Sequence, residues 1–343
     1  MARLSIRASR AWLGPGRVVD DAQIVTQDGA ITYAGAATPI GAADREIVVD
    51  GFLMPAAADR HVHIELSDPA AVLAGGVTAV RDLAWPPDRI FPLADLSELP
   101  TFEGPLIRAA GPMLTGRDGY PTRASWAPPG TGREVNGSED ARAIVAGLAA
   151  AGATAIKVSL NAEAGPTPSD GELAALCESA HDASLPVTVH AQGEGQVERA
   201  LGAGVDELAH TPWTHRLSED VIAMLAARMR IVSTLDILSF GRDTPAIRTA
   251  LDNLRRFHDA GGTVIYGTDL GNGAVPAGID TRELLLLREA GLSNEDVLAA
   301  LIRAPLEVDA PADLIALRGD PVRDLRAFDD VRLVVRAGRV VRG

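Results

Sequence analysis

Between about Gly51 and Thr268, short apolar segments alternate with alanine- and leucine-rich helical patterns. This alternation is typical of βα units whose parallel strands share one core. Eight segments have the composition of a strand, namely Gly51 to Met54 running on to Glu65, Val77 to Leu83, Leu106 to Ala110, Ala155 to Leu160, Val187 to His190, Glu207 to His210, Ile231 to Leu235 and Val264 to Thr268. Eight such strands predict a (β/α)8 barrel of about 250 residues, and a chain of 343 residues leaves room for a smaller unit.

Both ends of the chain have a different pattern, in which apolar and polar residues alternate between turns. In AQIVTQDGAITYAG, Asp28 and Gly29 separate two short strand-like runs, which predicts a β-hairpin. The C-terminal segment similarly has β-branched residues between Gly-Asp-Pro and Ala-Gly-Arg turns. We therefore expect β-rich ends around an α/β middle.

Helices are predicted between the barrel strands from their alanine- and leucine-rich faces. They include Glu139 to Ala151, Gly171 to Asp182, Gln196 to Ala203, Ser218 to Arg228 and Ala246 to Ala260. The connection from Gly111 to Gly137 is rich in glycine and proline and has no clear periodicity. Loops of this length are usually functional or mobile.

The chain is acidic, with a formal charge of -14 at pH 7 and a pI near 4.9. This charge repels phosphate backbones and anionic lipids, so we expect no nucleic-acid or membrane partner. In the opening segment MARLSIRASRAWLGPG, charges interrupt every apolar run, which argues against a signal peptide. We expect a cytoplasmic protein that acts on a small-molecule substrate, and we leave open whether it forms a homo-oligomer.

Lys157 is the only lysine among the 32 basic residues, and the other 31 are arginine. Arginine stays charged, whereas a desolvated lysine can lose its proton and become a nucleophile. The neutral amine could form a Schiff base with a carbonyl compound or capture carbon dioxide as a carbamate that bridges two metal ions. Chance survival on a solvated surface is the third interpretation.

Residues that can bind metal ions occur near the carboxyl ends of five predicted strands, where barrel enzymes carry their active sites. They are His61, His63, Lys157, His190, His210 and Asp269. His61 and His63 are two residues apart on an extended segment, so their side chains leave the same face and can bind one ion. Packing is a poor explanation for the whole set, because buried charge without a partner is costly. The pattern predicts a metal centre.

The chain resembles the amidohydrolase superfamily, in the branch of imidazolonepropionase-like and prolidase-like metal hydrolases. The resemblance covers nearly the whole chain, in the motifs GFLMPAAADRHVH, GGVTAVRDL, AAGPML, IKV, VTVHA, GVDELAH, YGTD and ADLIALRGDP. It implies a (β/α)8 TIM barrel with a small β-sandwich formed by both termini. On this basis we assign residues 1–50 and 311–343 to the sandwich and residues 51–310 to the barrel.

The resemblance also implies a cofactor. In this family the lysine of the fourth strand is carboxylated and bridges two divalent ions, usually zinc. The implied ligands are His61, His63 and Asp269 for the first ion, His190 and His210 for the second, and the CO2-derived carbamate on Lys157 for both. Hydroxide between the ions, with Asp269 as general base, would then cleave an amide, lactam or ester bond of a dipeptide, an N-acyl amino acid or a lactone.

Weaker candidates for substrate binding lie in loops at the same end of the barrel. Tyr120 and Arg123 occur in the long 111–137 connection, where they could bind a carboxylate or stabilise a developing negative charge. Gln192 stands where relatives often have histidine. Trp213 and His215 follow the sixth strand in HTPWTH and could line the pocket.

Two other functions stay open at this stage. An aldolase or lyase could use Lys157 as a Schiff-base nucleophile, although the strand-end histidines would then lack a role. A non-catalytic metal-binding barrel could keep the fold without turnover. Such a protein is expected to lack a metal ligand, and the sequence retains every one.

Overall fold

The computed structural model describes residues 3–39, 41 and 43–343. Within these residues the strands are β1 (Leu4–Gly14), β2 (Arg17–Gln27), β3 (Ala30–Ala36), β4 (Arg45–Pro55), β5 (Ala57–Val62), β6 (Val77–Asp82), β7 (Leu106–Ala109), β8 (Met113–Thr115), β9 (Gly132–Glu134), β10 (Ile156–Asn161), β11 (Val187–Gln192), β12 (Glu207–Leu208), β13 (Arg230–Val232), β14 (Thr263–Ile265), β15 (Leu314–Leu317), β16 (Val331–Arg336) and β17 (Arg339–Arg342). The helices are α1 (Pro69–Ala74), α2 (Pro87–Ser97), α3 (Ser138–Ala150), α4 (Asp170–Asp182), α5 (Gln196–Gly202), α6 (Glu219–Arg228), α7 (Pro245–Asp259), α8 (Thr281–Glu289) and α9 (Asn294–Leu301). Short 3₁₀ helices cover Ile64–Leu66, Asp236–Leu238 and Leu325–Asp329.

Parallel strands of the middle region close into a (β/α)8 barrel, as the sequence predicts. Strands β5, β6 and β7 form one parallel group, and β10 to β14 pair in chain order in another. A parallel bridge from Val62 to Leu270 joins the groups on one side, and the Thr154 amide donates to the Ala109 carbonyl across 2.9 Å on the other. Strands β8 and β9 belong to the connection after β7 and extend the sheet beside β10.

The two ends of the chain form the β-sandwich. Its strands, within the described residues, have the order β17-β16-β15-β4-β1-β2-β3. Ile31 on β3 and Leu333 on β16 lie far apart in this order, yet both belong to one apolar cluster with Ile6, Ile24 and Leu314. The sheet therefore folds over its own core, separate from that of the barrel. The Asp28–Gly29 hairpin joins β2 to β3 as predicted, with both turn residues at positive φ.

Residues 51–55, which we expected to begin the first barrel strand, pair with the terminal strands β1 and β15 instead. The Ala56 amide donates to the Asp313 carbonyl, which belongs to the sandwich. The next amide, that of Ala57, donates to the Gly76 carbonyl, which belongs to the barrel, so the backbone changes partners between these two residues. The segment is apolar on both sides of this point, so residue type alone gives no sign of the boundary.

The five helices predicted from sequence are present, each within one residue of the expected ends. Serine caps explain two of the starts, because Ser169 and Ser218 accept the backbone amides of Glu172 and Val221. Across the described ranges, no helix is long and apolar enough to cross a bilayer.

Helix α8 is tied to the turn after β13 by a buried carboxylate. Oε2 of Glu283 accepts the backbone amides of Leu235 and Asp236, both at 2.7 Å. The side chain is fully buried, and this burial raises the pKa of Glu283 to about 8, with a smaller contribution from the charge of Asp280. The folded protein therefore keeps a proton on Glu283 that an exposed carboxyl would release near pH 4.5.

This protonation predicts a loss of stability as the pH rises. In the unfolded chain Glu283 ionises above about pH 4.5, whereas in the folded protein it stays protonated up to about pH 8. The free energy of unfolding therefore decreases between these two pH values, by an amount on the order of a few kcal/mol. Glu283→Gln should reduce the decrease in unfolding free energy between pH 5 and pH 8, as measured by urea denaturation. Glu289→Gln, at the exposed end of the same helix, is the control. Equal pH dependence in the wild type and Glu283→Gln would contradict the assignment.

Candidate metal centre

The six residues singled out in the sequence come together inside the barrel near the carboxyl ends of its strands. His61 lies on β5, Lys157 on β10 and His190 on β11. His63, His210 and Asp269 follow β5, β12 and β14, respectively. All six side chains belong to residues less than 9% exposed, namely His61, His63, Lys157, His190, His210 and Asp269. Such a concentration of polar groups requires internal partners, because water does not reach them freely.

His61, His63 and Asp269 form a compact group in which one ligand atom of each residue lies within 4.8 Å of the others. Oδ1 of Asp269 is 3.4 Å from Nε2 of His61 and 3.3 Å from Nε2 of His63. Oδ2 of Asp269 accepts a hydrogen bond of 2.7 Å from the side-chain amide of Asn272. One carboxylate oxygen is thus held by Asn272, and the other faces the two imidazoles.

His190 and His210 form a second group beside the first. Nδ1 of His190 lies 2.9 Å from Nε2 of His210. The ring of His210 also lies against that of His61, with 4.6 Å between their centroids, so the two groups are contiguous.

Each of the four histidines has its outward ring nitrogen fixed by an oxygen atom. Nδ1 of His61 and Nδ1 of His63 lie 2.8 and 3.2 Å from the carbonyl oxygens of Ala209 and Ala84. A carbonyl oxygen can only accept, so both Nδ1 atoms carry a proton, and the Nε2 atoms are the ones that face Asp269. This arrangement is the usual way in which proteins orient a metal-binding histidine.

The other two rings are oriented by side chains. Nε2 of His190 lies 3.1 Å from Oε1 of Gln192, whose own amide nitrogen donates to Glu163 at 2.7 Å and so fixes which end of the amide is the oxygen. Nδ1 of His210 lies 2.8 Å from Oγ1 of Thr234. Nδ1 of His190 and Nε2 of His210 face each other within hydrogen-bonding distance, and both are nitrogens that can bind a metal ion.

The electrostatics of the site favour bound cations. Burial lowers the pKa of His190 to about 4 and holds the pKa of His61 and of His210 well below the usual value, so these imidazoles are neutral. Burial also opposes a charge on His63, but the neighbouring Asp269 carboxylate outweighs it and raises the pKa of His63. Burial opposes ionisation of Asp269 as well, yet the nearby histidines hold its pKa well below the usual value. The three imidazoles with a lowered pKa and the ionised carboxylate are nitrogen and oxygen donors of the kind that zinc prefers.

Lys157 is fully buried, and its Nζ has no hydrogen-bond partner among the described residues. Its Cα pairs in register with Thr188, two residues before His190, so a long side chain is needed to reach the histidines. Its positive charge lowers the pKa of all four histidines. Burial lowers the pKa of Lys157 to about 7, which leaves a substantial fraction of neutral amine near neutral pH.

Two residues of the site have left-handed backbone conformations that are uncommon outside glycine. Asp269 has φ 58° and Thr234 has φ 42°, which is especially rare for a β-branched residue. The amide of Asp269 donates to His61, and that of Thr234 donates to Gly267. Strain of this kind costs about 1–3 kcal/mol per residue and clusters at functional sites. Here it directs the Asp269 carboxylate and the Thr234 hydroxyl toward the histidines.

Aromatic rings from two loops cover the histidines. Trp126 packs on His63 with 4.8 Å between ring centroids, and Tyr120 lies 5.6 Å from His190. The Tyr120 hydroxyl accepts a hydrogen bond of 3.1 Å from the Trp126 indole. Trp213 stands edge-on to His190 at 5.8 Å. The long connection after the third barrel strand therefore lies over the strand ends, where it forms part of the wall of the site.

The remaining substrate-binding candidates are placed differently. The Arg123 side chain is 76% exposed and pairs with Asp118, so it points away from the histidines. The His215 ring lies 3.2 Å from Thr214 Oγ1, and within the described part of the chain no hydrogen bond or ring contact joins it to the histidine cluster. Gln192 contacts the site by orienting His190.

Sequence reasoning missed Thr234, Asn272 and Glu163, which hold His210, Asp269 and Gln192 in place. None belongs to a recognisable motif. The proximity of Asn272 to Asp269 in the sequence was the only available signal.

A barrel that gathers histidines and an aspartate at its strand ends has the architecture of metal-dependent hydrolases. The model of the amidohydrolase family matches residues 52–301. The chain belongs to this family, in its prolidase-like branch, and is a hydrolase with a His-His-Asp group able to bind a metal ion.

Solved structures similar to this chain cover nearly its whole length. A Xaa-Pro dipeptidase with methionine bound in its active site is 21% identical, with a TM-score of 0.84 and 100% of both chains covered. A candidate prolidase from Bifidobacterium longum is 26% identical, with a TM-score of 0.85 and coverage of 99% of this chain and 94% of the other. A. niger ochratoxinase is 21% identical, with a TM-score of 0.84 and coverage of 100% and 96%. No curated protein matches the sequence.

The role of Thr234 predicts a defect in metal binding. Thr234→Val keeps the β-branched shape but removes the oxygen that orients His210, so affinity for one ion should fall about 10- to 100-fold. Zinc titration against a competing chelator measures this loss. Thr214→Val, which removes the hydroxyl beside His215, should bind zinc like the wild type. Unchanged affinity in Thr234→Val would show that the hydroxyl does not orient a ligand.

Proposed function

We propose that this protein hydrolyses an amide, lactam or ester bond of a small molecule and that it uses two divalent ions, preferably zinc, to do so. The observation that carries the proposal is the arrangement of the four histidines. Each has one ring nitrogen bonded to an oxygen and the other directed into the cluster. The proposed ligands are His61, His63 and Asp269 for one ion, His190 and His210 for the other, and Lys157 for both.

The residues present fit such a pair of ions. The buried Nζ of Lys157 and Oδ1 of Asp269 have no hydrogen-bond partner among the described residues, although isolated buried charges are costly. A carbamate formed from carbon dioxide and the neutral amine of Lys157 would replace this unpartnered amine with an anion. When bound, divalent ions make water acidic enough to serve as a nucleophile at neutral pH and polarise a carbonyl group.

Asp269 is proposed as the general base. Its carboxylate is ionised and lies close to His61 and His63, and the Asn272 amide fixes its orientation. An ionised, oriented carboxylate can accept a proton from the attacking water and return it to the leaving nitrogen or oxygen. Tyr120 and Trp126 border the same space, so they are placed to exclude water and to contact the substrate.

The similar structures indicate which substrates to test. They include dipeptide-cleaving enzymes, an ochratoxinase and a phenylurea hydrolase. Dipeptides are proposed on this ground, and N-acyl amino acids and lactones are proposed from the resemblance to the family. The test is a panel of these compounds incubated with protein reconstituted with zinc and bicarbonate. If protein that contains two ions per chain hydrolyses none of these compounds, the proposed substrate classes are wrong.

Schiff-base catalysis by Lys157 would leave the oriented histidines without a function. Borohydride reduction in the presence of a carbonyl substrate distinguishes the two mechanisms. A covalent adduct on Lys157 would support the lyase, whereas absence of an adduct in protein that hydrolyses its substrate would support the metal hydrolase.

Asp269→Asn should lower kcat by about 10²- to 10⁴-fold, the usual contribution of general acid–base catalysis. The amide keeps an oxygen near His61 and His63, so much of the metal should stay bound, as measured by elemental analysis. Asp118→Asn, in the exposed pair with Arg123, should retain wild-type activity. Undiminished turnover by Asp269→Asn would remove this residue from the mechanism.

Lys157→Arg should be inactive, because guanidinium does not form the carbamate. After chelation, zinc and bicarbonate should restore the wild type but neither Lys157→Arg nor Lys157→Met. Labelling with ¹³C-bicarbonate should give a carbamate signal by NMR in the wild type alone. Full reactivation of either variant, or reactivation of the wild type without carbon dioxide and without that signal, would rule out the carbamate.

A further inference from the structure

A second cavity lies at the opposite end of the barrel from the histidines. It has a volume of about 210 Å³ and lies beside the amino-terminal parts of β5, β6 and β7 and the approach to β10. Four arginines line it, together with an acid, a threonine and apolar side chains. The lining is formed by Arg60, Arg81, Arg108, Arg303, Asp59, Thr154, Ala58, Ala79, Val80 and Leu106.

The acidic groups at this end already have partners. Arg81 pairs with the buried Glu207, and Arg108 pairs with Glu98 at the edge of the cavity. The Asp59 carboxylate accepts hydrogen bonds from the Thr268 hydroxyl and from two backbone amides. These acids therefore form no direct ion pair with Arg60 or Arg303 among the described residues, although the charges of Asp59 and Glu207 oppose the burial that lowers the pKa of Arg60.

Arg60 and Arg303 have no carboxylate partner within the part of the chain that the structure describes. Arg60 donates to the carbonyls of Ala58 and Ile302 at 2.8 and 2.9 Å, which uses two of its five N–H groups. Arg303 is exposed and forms no hydrogen bond or direct ion pair with any described residue, although its charge opposes the burial that raises the pKa of Asp313. Its side chain lines the cavity beside Arg60. The two guanidinium groups lie beside each other, so an oxyanion between them would be attracted by both and could accept hydrogen bonds from N–H groups that the described residues do not use.

We propose that this cavity binds a small oxyanion, a carboxylate or an inorganic phosphate, through Arg60 and Arg303. Guanidinium groups match both anions because their N–H groups form paired hydrogen bonds to two oxygens. The volume of about 210 Å³ is below the 300–1,000 Å³ typical of pockets for larger ligands. The apolar side chains of Val80 and Leu106 would contact a short hydrocarbon part of a carboxylate.

The chain as a whole makes this concentration of positive charge unusual. The formal charge is -14, which disfavours anions near most of the surface. Arg60 also bonds to the carbonyl that follows α9, so a bound anion would link this helix end to the barrel through Arg60 and Arg303. Binding should therefore stabilise the folded protein as well as fill the cavity.

The test measures anion binding to the zinc-loaded protein at constant ionic strength. Inorganic phosphate and propionate are titrated separately by calorimetry, and thermal unfolding is followed at increasing concentrations of each. Saturable binding with an increase in Tm is expected, and the two titrations show whether phosphate or carboxylate is preferred. Arg303→Gln should weaken binding about tenfold, which corresponds to about 1.4 kcal/mol. Arg303→Lys keeps the positive charge, so its affinity for the anion should fall less than that of Arg303→Gln.

Arg248→Gln is the matched control, because it removes an exposed arginine in the first turn of α7 that does not line the cavity. It should bind the anions like the wild type, and hydrolytic activity should be unchanged in both glutamine variants. Anions bound at the metal centre would bind Arg303→Gln with wild-type affinity. That result, or the absence of saturable binding to the wild type, would overturn the proposal. Neither outcome bears on hydrolysis at the histidine cluster.

Discussion

The site depends on hydrogen bonds that fix one nitrogen of each histidine ring. Two of the acceptors are backbone carbonyls, Ala209 beside the sixth barrel strand and Ala84 beside the second. His61 lies on the first barrel strand and His63 directly follows it, but the sixth strand orients His61 and the second orients His63. Because the barrel is closed, a change in one strand alters the direction of a ring on another. The rigidity of the barrel is thus part of the chemistry of the site.

Charge is arranged in layers along the barrel axis. Glu207 and Thr188 pair in register with Lys157, and Arg81 reaches this layer from β6. His190 lies two residues after Thr188 on the same strand, and it belongs to the next layer, which contains the histidines. Lys157 spans the distance between the two layers with a long side chain whose Nζ has no hydrogen-bond partner among the described residues. At this fully buried position a lysine can lose its charge, whereas an arginine, the residue type of every other basic position in the chain, cannot.

Much of the fold was predictable because it follows from local patterns. Strand and helix segments, the Asp28–Gly29 hairpin and the β-rich ends all arise from periodicity and turn chemistry within short stretches of sequence. The break between β4 and β5 at Ala56 was not predictable. The residues on both sides are apolar, and only the partners of their backbone amides differ.

The sequence by itself identified the residues that the structure brings together in the histidine cluster. Strand-end histidines, one aspartate and a solitary lysine are unusual residue types at identifiable positions, so they could be found without coordinates. The tertiary structure alone decided how these residues are oriented and what surrounds them. Thr234 and Glu163 belong to no motif, and Arg123 has the right chemistry but faces solvent. Side-chain direction and long-range contacts depend on how distant strands are juxtaposed, and residue type does not encode that.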